Sequence, residues 1–199
     1  TLVKILKTKL GSNVSIIEEP VQLWQSIQNQ SNENILDLFY KDSVRWSYTF
    51  QNLAFITRSL VLNNAKLGKN KIILVERSTE TDKHVFAKCL YDTDKMSKME
   101  YELYNVWYDK FKHKIDGYIY LQTSPNKCIE RIKKRNRQCE TKIEDSYIES
   151  MDHYHNKWLL DSKMNTLVLD GNDEFIKNIN IQTQFCSDIS QYIQLLQNK

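Results

Sequence analysis

The sequence contains few glycines and prolines, the residues that interrupt helices and strands or make a linker flexible. Its 199 residues include four glycines and two prolines, too few for a long flexible linker. It has no run of about 18 apolar residues, so it predicts no helix that spans a membrane. The net charge of +3 is too small to indicate nucleic-acid binding, although it permits a local basic site for phosphate groups. With this length and no linker, the sequence predicts one domain of ordinary size, large enough to bury a hydrophobic core.

The cysteines are too scattered for a zinc site or a disulfide framework. Cys89, Cys128, Cys139 and Cys186 form no Cys-x-x-Cys pair, and no His-x-x-x-His pair accompanies them. Zinc needs clustered ligands, and a chain of this length does not need disulfides for its stability. We therefore expect free thiols in a reducing compartment.

Short apolar runs alternate with longer amphipathic segments. The runs that have the character of strands are 14–17, 71–75, 118–121 and 166–169. Apolar residues recur at helical spacing in the ranges 46–61, 96–111 and 147–160. Strands that alternate with helices predict an α/β fold, with a parallel sheet covered by helices on both faces.

Polar residues follow each predicted strand, where ligands bind in folds of this class. The segments are Glu18-Glu19-Pro20, Glu76-Arg77-Ser78, Gln122-Thr123-Ser124-Pro125 and Asp170-Gly171-Asn172. Carboxylates and an arginine at one sheet edge suit Mg²⁺, a nucleophilic hydroxyl and a transferring phosphate.

Charged residues directly after a buried strand need partners, either in an ion pair or in a functional site. Glu76 can hold Mg²⁺ or accept a proton, and Arg77 can stabilise phosphoryl charge. Pro20 holds Glu19 in an extended conformation, so that its carboxylate can accept a hydroxyl proton. The alternative for Glu19 alone is an exposed loop acid. We favour function because these residues are predicted to be neighbours.

A nucleobase site is indicated on the helix predicted around 46–61. Gln51 and Arg58 lie two turns apart there and share a face, and a glutamine amide can make a two-point hydrogen bond to a base edge. Asp82 can pair with Arg58 and fix its orientation. Trp24 and Phe86 can stack on a flat ring, although each taken alone is more often a core residue.

The range 127–137 holds six basic residues and one acid, Glu130. Arg131 and Arg135 share a helical face. A solvated surface or an RNA-binding surface is the alternative for such a run. Because this one follows the end of the third predicted strand, we interpret it as a lid over an anionic ligand.

Taken in order, these segments resemble the deoxycytidine/deoxyguanosine kinase branch of the deoxynucleoside kinases over nearly the whole chain. The matching segments are Glu-Glu-Pro-Val-x-x-Trp at 18–24, Tyr40, Arg-Trp-Ser-Tyr-Thr-Phe-Gln at 45–51, Arg58, Glu-Arg-Ser-x-x-x-Asp-x-x-x-Phe-Ala at 76–87, Tyr-Leu-Gln-Thr-Ser-Pro at 120–125, Glu-Arg-Ile-x-x-Arg-x-Arg at 130–137, and Trp158-Leu159. The resemblance implies a P-loop kinase-type sheet and one kinase domain over 1–199, with a lid at about 131–145. It implies transfer of the γ-phosphate of ATP to the 5′-hydroxyl of a deoxynucleoside in nucleotide salvage, with Mg²⁺ as cofactor.

The resemblance also assigns roles at the acceptor. It implies that Glu19 accepts the 5′-hydroxyl proton and that Arg77 contacts the 5′-oxygen and the transferring phosphate. Glu76 is implied either as a Mg²⁺ ligand or as the proton acceptor, and both roles stay open. The other side chains implied to bind the deoxynucleoside are Gln51, Arg58 and Asp82 at the base, Trp24 and Phe86 stacking on it, and Tyr40 and Glu140 at the sugar 3′-hydroxyl.

On the donor side the resemblance implies two groups of residues. The lid arginines are Arg131, Arg135 and Arg137, and the residues implied to line the adenine are Asp173, Glu174 and Phe175.

The substrate class follows from two of these positions. Thymidine-accepting relatives resemble this family but carry apolar or small residues where this chain has Arg58 and Asp82. We therefore expect deoxyadenosine, deoxyguanosine or deoxycytidine as the acceptor rather than thymidine.

One departure from the family pattern concerns the phosphate-binding loop. The family's Gly-x-x-x-x-Gly-Lys-Ser loop and the strand before it should precede Thr1, whereas the helix that the loop opens matches 1–10. The backbone N–H groups and lysine of such a loop cradle the donor phosphates, and its serine holds Mg²⁺. We therefore expect both elements upstream of Thr1, and weak donor binding by the chain as printed. A targeting segment would also lie upstream, so the cytoplasm is our expectation and the mitochondrion its alternative.

Two other functions stay open at this point. One is a nucleoside monophosphate kinase of thymidylate type, against which the set Tyr40, Gln51 and Glu140 argues, because a monophosphate acceptor needs a further cationic clamp. The other is a non-catalytic structural subunit, like the kinase-like accessory subunit of respiratory complex I, which would have no chemical reason to keep the acceptor residues together. The family is usually dimeric through long helices, so we expect a homodimer through 46–62 and 96–111. We expect small-molecule partners only, without nucleic acid or membrane.

Overall fold

The computed structural model of the chain describes residues 2–10, 13–66, 72–136, 140, 143–162 and 164–198. Its helices are α1 (Leu2–Lys9), α2 (Val21–Ser26), α3 (Ile35–Lys41), α4 (Ser43–Lys66), α5 (Thr79–Thr81), α6 (Lys88–Asp92), α7 (Lys98–Phe111), α8 (Pro125–Arg135), α9 (Asp145–Asn156) and α10 (Ile179–Gln197). Its strands are β1 (Val14–Ile17), β2 (Ile72–Val75), β3 (Tyr118–Gln122) and β4 (Thr166–Asp170). Wider π-helical turns join α5 to α6 (Asp82–Ala87) and extend α9 (Lys157–Asp161).

The parallel pairing that the sequence predicts is confirmed. β1 lies parallel to β2 with Val14 opposite Ile72, and β3 lies parallel to β4 with Tyr118 opposite Thr166. Within the described ranges the strands form two two-stranded sheets rather than one continuous sheet. Each strand matches a predicted apolar run, and Lys71 of the second run lies outside the described residues.

Helices cover both faces of the β3–β4 sheet, as predicted. Ile119 and Leu121 of β3 pack in a core cluster with α1 and α10, whereas Tyr118 and Tyr120 pack on the opposite side against α9 and its π-helical extension. This alternation is the two-residue periodicity of a strand that is covered on both faces. Ile72 and Leu74 of β2 join the first cluster, so both sheets share one core.

A separate aromatic core supports the helix on which the nucleobase site is predicted. Trp24, Phe39, Phe50, Phe55 and Tyr104 join α2, α3, α4 and α7 in this cluster. Its edge-on contact between the rings of Trp24 and Phe50, with centroids 5.3 Å apart, is a favourable aromatic geometry. The cluster fixes α4 at the carboxyl ends of β1 and β2.

Candidate active site

The ends of β1 and β2 bring the predicted carboxylates together. The backbone N–H of Glu76 donates to the carbonyl of Ile17 at 2.8 Å, which continues the parallel ladder one residue beyond the strands. The backbone N–H of Glu19 in turn donates to the Glu76 carboxylate at 3.4 Å. Two loops distant in sequence thus meet at one sheet edge, where an α/β fold binds its ligands.

Arg58 of α4 connects three parts of this edge. Its Nε donates to both carboxylate oxygens of Asp82, at 3.1 and 3.0 Å. Its Nη2 donates to Oε1 of Glu19 at 2.5 Å, and its Nη1 donates to the backbone carbonyl of Glu76 at 3.4 Å. The predicted pairing of Arg58 with Asp82 is confirmed, and the contact with Glu19 was not predicted.

Arg77 approaches Glu19 from the more exposed side. Its Nη1 donates to Oε1 of Glu19 at 3.1 Å, and its guanidinium lies 4.8 Å from the ring centroid of Phe86. The backbone of Arg77 has φ of 63°, a left-handed conformation that costs roughly 1–2 kcal/mol for a residue other than glycine. Ser78 caps the N-terminus of α5 immediately afterwards, and its Oγ accepts from the N–H of Thr81 at 3.3 Å. The strained residue is therefore fixed between a strand end and a helix cap.

The two carboxylates of this network differ in acidity. Burial raises the pKa of Glu19, but Arg77 and Arg58 outweigh that effect, and the net pKa lies below the ordinary value. Burial raises the pKa of Asp82 to about 6, even though Arg58 opposes it. At neutral pH Glu19 is therefore ionised and able to take up a proton.

Gln51 has the features of a ligand-reading side chain. It is 2% exposed, and its Oε1 has no hydrogen-bond partner among the residues that the structure describes. An unpaired buried acceptor costs about 1–3 kcal/mol, which a ligand N–H can offset. Gln51 and Arg58 are both buried on α4, in agreement with their predicted common face.

Other side chains that were predicted to bind the deoxynucleoside lie around the ion pairs of Arg58 and Arg77. Trp24 is buried, its Nε1 donates to Thr57 at 3.0 Å, and its ring lies 5.0 Å from the Arg58 guanidinium. The ring of Tyr40 lies 5.1 Å from that of Phe39. The predicted stacking roles of Trp24 and Phe86 and the predicted sugar-binding roles of Tyr40 and Glu140 stay predictions.

Two residues of α9, Tyr147 and His155, lie near the candidate site and were not predicted from the sequence. Burial and the neighbouring Tyr40 raise the pKa of Tyr147, which Arg77 opposes. His155 packs edge-on against Phe86, with centroids 6.2 Å apart, and its Nδ1 lies 2.7 Å from a backbone carbonyl. Burial and the nearby Arg77 lower its pKa. The helical spacing of the two residues within 147–160 was the available signal.

Two of the arginines predicted to form a lid, Arg131 and Arg135, donate hydrogen bonds to protein groups. Arg131 donates to the backbone carbonyls of Gly171 at 2.6 Å and Asp173 at 2.8 Å. Arg135 donates to the carboxylate of Glu140 at 2.9 and 2.7 Å. Arg137 lies outside the described residues, as does part of the predicted lid.

The loop after β4 was predicted to line the adenine. Phe175 is 4% exposed and packs against Phe185, so its ring is a core residue rather than an open stacking surface. Asp173 and Glu174 are exposed. A donor base at this loop would therefore meet mainly its backbone and these polar side chains.

Gly171 brings this loop against the end of β3, and a substitution there tests the contact. A Cβ at Gly171 would lie 2.1 Å from Oγ1 of Thr123 and 2.9 Å from the carbonyl of Gln122. We expect Gly171→Ala to lower the free energy of unfolding by about 1–3 kcal/mol, measured by urea denaturation. Adding Thr123→Ala should recover part of the loss, and an unchanged unfolding midpoint in the single variant would contradict the close approach.

The predicted role of Glu76 as a Mg²⁺ ligand stays a prediction, and its position at the end of β2 is compatible with that role. Mg²⁺ is usually held by one or two carboxylates together with substrate phosphates and water, so a single carboxylate at this edge is sufficient. Among the described residues, no group of three or more His, Cys, Asp or Glu side chains is placed to hold a metal without substrate. Within the described residues, no helix has both the length and the apolar character needed to cross a bilayer.

Comparison with known proteins identifies the family of this chain. The family model described as deoxynucleoside kinase matches residues 1–194. A probable deoxycytidine kinase of fowlpox virus (strain NVSL) is 36% identical, in an alignment that covers 97% of this chain and 82% of that protein. Deoxycytidine kinase 2 of Gallus gallus is 33% identical over 94% of this chain and 83% of that protein. The mitochondrial deoxyguanosine kinase of Xenopus laevis is 34% identical over 73% of this chain and 63% of that protein. The chain therefore belongs to the deoxynucleoside kinase family, whose enzymes transfer phosphate from ATP to a deoxynucleoside.

Proposed function

We propose that this kinase phosphorylates the 5′-hydroxyl of deoxyadenosine, deoxyguanosine or deoxycytidine in preference to thymidine, as a step of nucleotide salvage. The observation that carries the proposal is the buried Arg58–Asp82 pair, together with Gln51 on the same helix as Arg58, whose buried Oε1 has no hydrogen-bond partner among the described residues. Together these groups offer donors and acceptors to a base edge. Cytosine and adenine present an exocyclic amino donor, and guanine presents acceptors, whereas thymine presents a carbonyl and a methyl group. A carboxylate at Asp82 disfavours that thymine carbonyl.

The proposed chemistry places Glu19 at the acceptor hydroxyl. The 5′-oxygen attacks the γ-phosphorus, its proton passes to the Glu19 carboxylate, and the bond from the γ-phosphorus to the β–γ bridging oxygen breaks to release ADP. Arg77 offsets the charge on the transferring phosphoryl group. Mg²⁺, when bound through Glu76, supplies charge neutralisation on the donor phosphates. Because phosphoryl transfer depends mainly on positioning and electrostatics, the arginine contacts that hold Glu19 are part of the mechanism.

A panel of substrates tests the proposed preference. The natural protein, including any residues that precede Thr1, is assayed with ATP, Mg²⁺ and each of the four deoxynucleosides. We expect kcat/KM for at least one of deoxyadenosine, deoxyguanosine and deoxycytidine to exceed that for thymidine by about tenfold or more, the size of one good base contact. Thymidine as the best substrate would contradict the proposal. Preferential turnover of a deoxynucleoside monophosphate would favour the monophosphate-kinase alternative, and no turnover of either class would favour the structural-subunit alternative.

We also propose that the protein is a homodimer through α4 and α7, which contact each other. The exposed large apolar side chains on these two helices are Val44, Ile56, Leu60, Met99, Leu103, Val106, Trp107 and Phe111. An ordinary surface exposes single, scattered apolar residues, whereas this set is a larger group that matches a self-complementary contact.

We also propose that the enzyme is located in the cytoplasm, with the mitochondrion as the alternative. Localisation of the tagged natural protein distinguishes the two compartments.

A charge on the α7 face tests the dimer. We expect Val106→Glu, at a position 65% exposed, to convert the dimer to monomer in analytical ultracentrifugation, because it puts a carboxylate into an apolar interface. Leu195→Glu on α10, at a position 63% exposed, is the matched control and should leave the mass unchanged. A protein that is monomeric before substitution, or equal effects of both variants, would contradict this interface.

A further inference from the structure

Arg58 is shared between the two functions of the acceptor site. One edge of its guanidinium, at Nε, holds Asp82 at the nucleobase side, and its Nη2 holds Glu19 at the 5′-hydroxyl side. The guanidinium is planar and rigid, so a shift at one edge moves the other. One side chain therefore joins the group proposed to read the base to the group proposed to take the proton.

The surroundings of Arg58 restrict other arrangements. Its side chain is buried, the ring of Trp24 lies 5.0 Å from its guanidinium carbon, and its Nη1 contacts the backbone carbonyl of Glu76. Asp82 is 1% exposed, so water cannot readily replace Arg58 as its partner. In the proposed coupling, a nucleobase amino group that donates to Asp82 shares its carboxylate oxygens with Nε. Sharing weakens the Nε contact, so the guanidinium can shift and change its contact with Glu19.

We propose that Arg58 is a positioning residue that transmits recognition of the nucleobase at Asp82 to the proton-accepting carboxylate of Glu19. The nucleobase amino group thereby governs kcat and not only KM. This inference rests on the proposed function and adds that base recognition and catalysis share one ion-pair network. Coupling through such a network needs a contiguous set of contacts, which Asp82, Arg58 and Glu19 provide.

Arg77 offers a matched comparison. It also donates to Oε1 of Glu19, at 3.1 Å, but its guanidinium lies over Phe86 and it is paired with Glu19 from the exposed side. A change at Arg77 therefore alters the chemistry at Glu19 without interrupting the path from Asp82.

The test compares substrates with and without the amino group. The better of deoxyadenosine and deoxycytidine is assayed beside its analogue in which hydrogen replaces the exocyclic amino group, with saturating ATP and Mg²⁺. For the unchanged protein we expect kcat, and not only kcat/KM, to fall by about tenfold with the analogue, as for interacting residues of one network. In Arg58→Lys the ratio of the two kcat values should approach one, because an ammonium keeps the charge but cannot bridge both carboxylates.

Two further variants keep the test independent of folding defects in Arg58→Lys. Asp82→Asn keeps the shape and retains Arg58, and it should also bring the kcat ratio close to one. Arg77→Lys should lower kcat for both substrates by the same factor and leave the ratio near tenfold. The acidic limb of the kcat–pH profile should differ between the two substrates in the unchanged protein and coincide in Arg58→Lys.

The outcomes separate this inference from the proposed function. Equal kcat values for the two substrates in the unchanged protein, or a ratio that survives in Arg58→Lys and Asp82→Asn, would overturn the coupling. Turnover of neither deoxyadenosine nor deoxycytidine would overturn the role given to the amino group and the inference with it. The proposed function itself would be overturned by thymidine as the best substrate, by preferential turnover of a monophosphate, or by no turnover of any deoxynucleoside; none of these results depends on the kcat ratio.

Discussion

Replacing Glu19 with glutamine is expected to lower kcat by about 10²–10⁴-fold, with a smaller change in KM, because glutamine keeps the shape but cannot accept a proton. The ionised carboxylate between Arg58 and Arg77 is the reason for this expectation. The measurement is steady-state kinetics with the preferred deoxynucleoside at saturating ATP and Mg²⁺.

The adjacent acid provides the control for this substitution. Glu18 pairs with Lys7 on the surface at 3.3 Å, so Glu18→Gln should leave kcat within about twofold. Retention of kcat in Glu19→Gln, together with its loss in Glu76→Gln, would assign the proton to Glu76 instead. The pair of variants therefore decides between the two roles that the sequence leaves open for Glu76.

Arg58→Met is expected to lower the free energy of unfolding by about 3–5 kcal/mol, the cost of leaving a buried charge unpaired. The variant leaves Asp82 without the guanidinium that it contacts through both carboxylate oxygens. Burial already raises the pKa of Asp82 to about 6, and loss of Arg58 raises it further. A raised folded-state pKa favours the protonated carboxyl, so the loss should be smallest below the unfolded pKa and should grow as the pH rises through the folded one.

Urea denaturation at pH 5 and pH 8 measures this effect and its sign. Adding Asp82→Ala should recover most of the stability at pH 8, since it removes the unpaired charge. Arg45→Met, on the same helix but with its guanidinium on the surface over the Trp46 ring, should change the stability by less than about 0.5 kcal/mol. A pH-independent loss, or an equal loss in both arginine variants, would contradict the buried-charge explanation.

The sequence predicted the regular elements well where the pattern is local. A buried parallel strand is apolar throughout, so the run 14–17 coincides with β1. The helix predicted at 46–61 is correct, but α4 extends from Ser43 to Lys66, because polar terminal turns add no apolar periodicity. The wider turn at Asp82–Ala87 has no comparable signal, since it depends on how Val85 and Ala87 pack against other elements.

The candidate site could be predicted as a set of residues but not as a network of contacts. Spacing placed Gln51 and Arg58 on one face, and the structure has both buried there. The contact of Arg58 with Glu19 spans 39 positions in the chain, so it depends on how α4 packs on the strand ends. The pairing of Arg135 with Glu140 was likewise absent from the prediction.

Because the backbone of Arg77 is left-handed, the residue that gives the highest stability at position 77 differs from the residue that gives the highest activity. Glycine adopts φ near 63° without steric cost, so Arg77→Gly would relieve backbone strain while removing the guanidinium from Glu19. Selection for stability alone would therefore favour the loss of this arginine, and selection for phosphoryl transfer alone would keep it. Position 77 is thus one where a more thermostable variant of this kinase is expected to be a poorer enzyme.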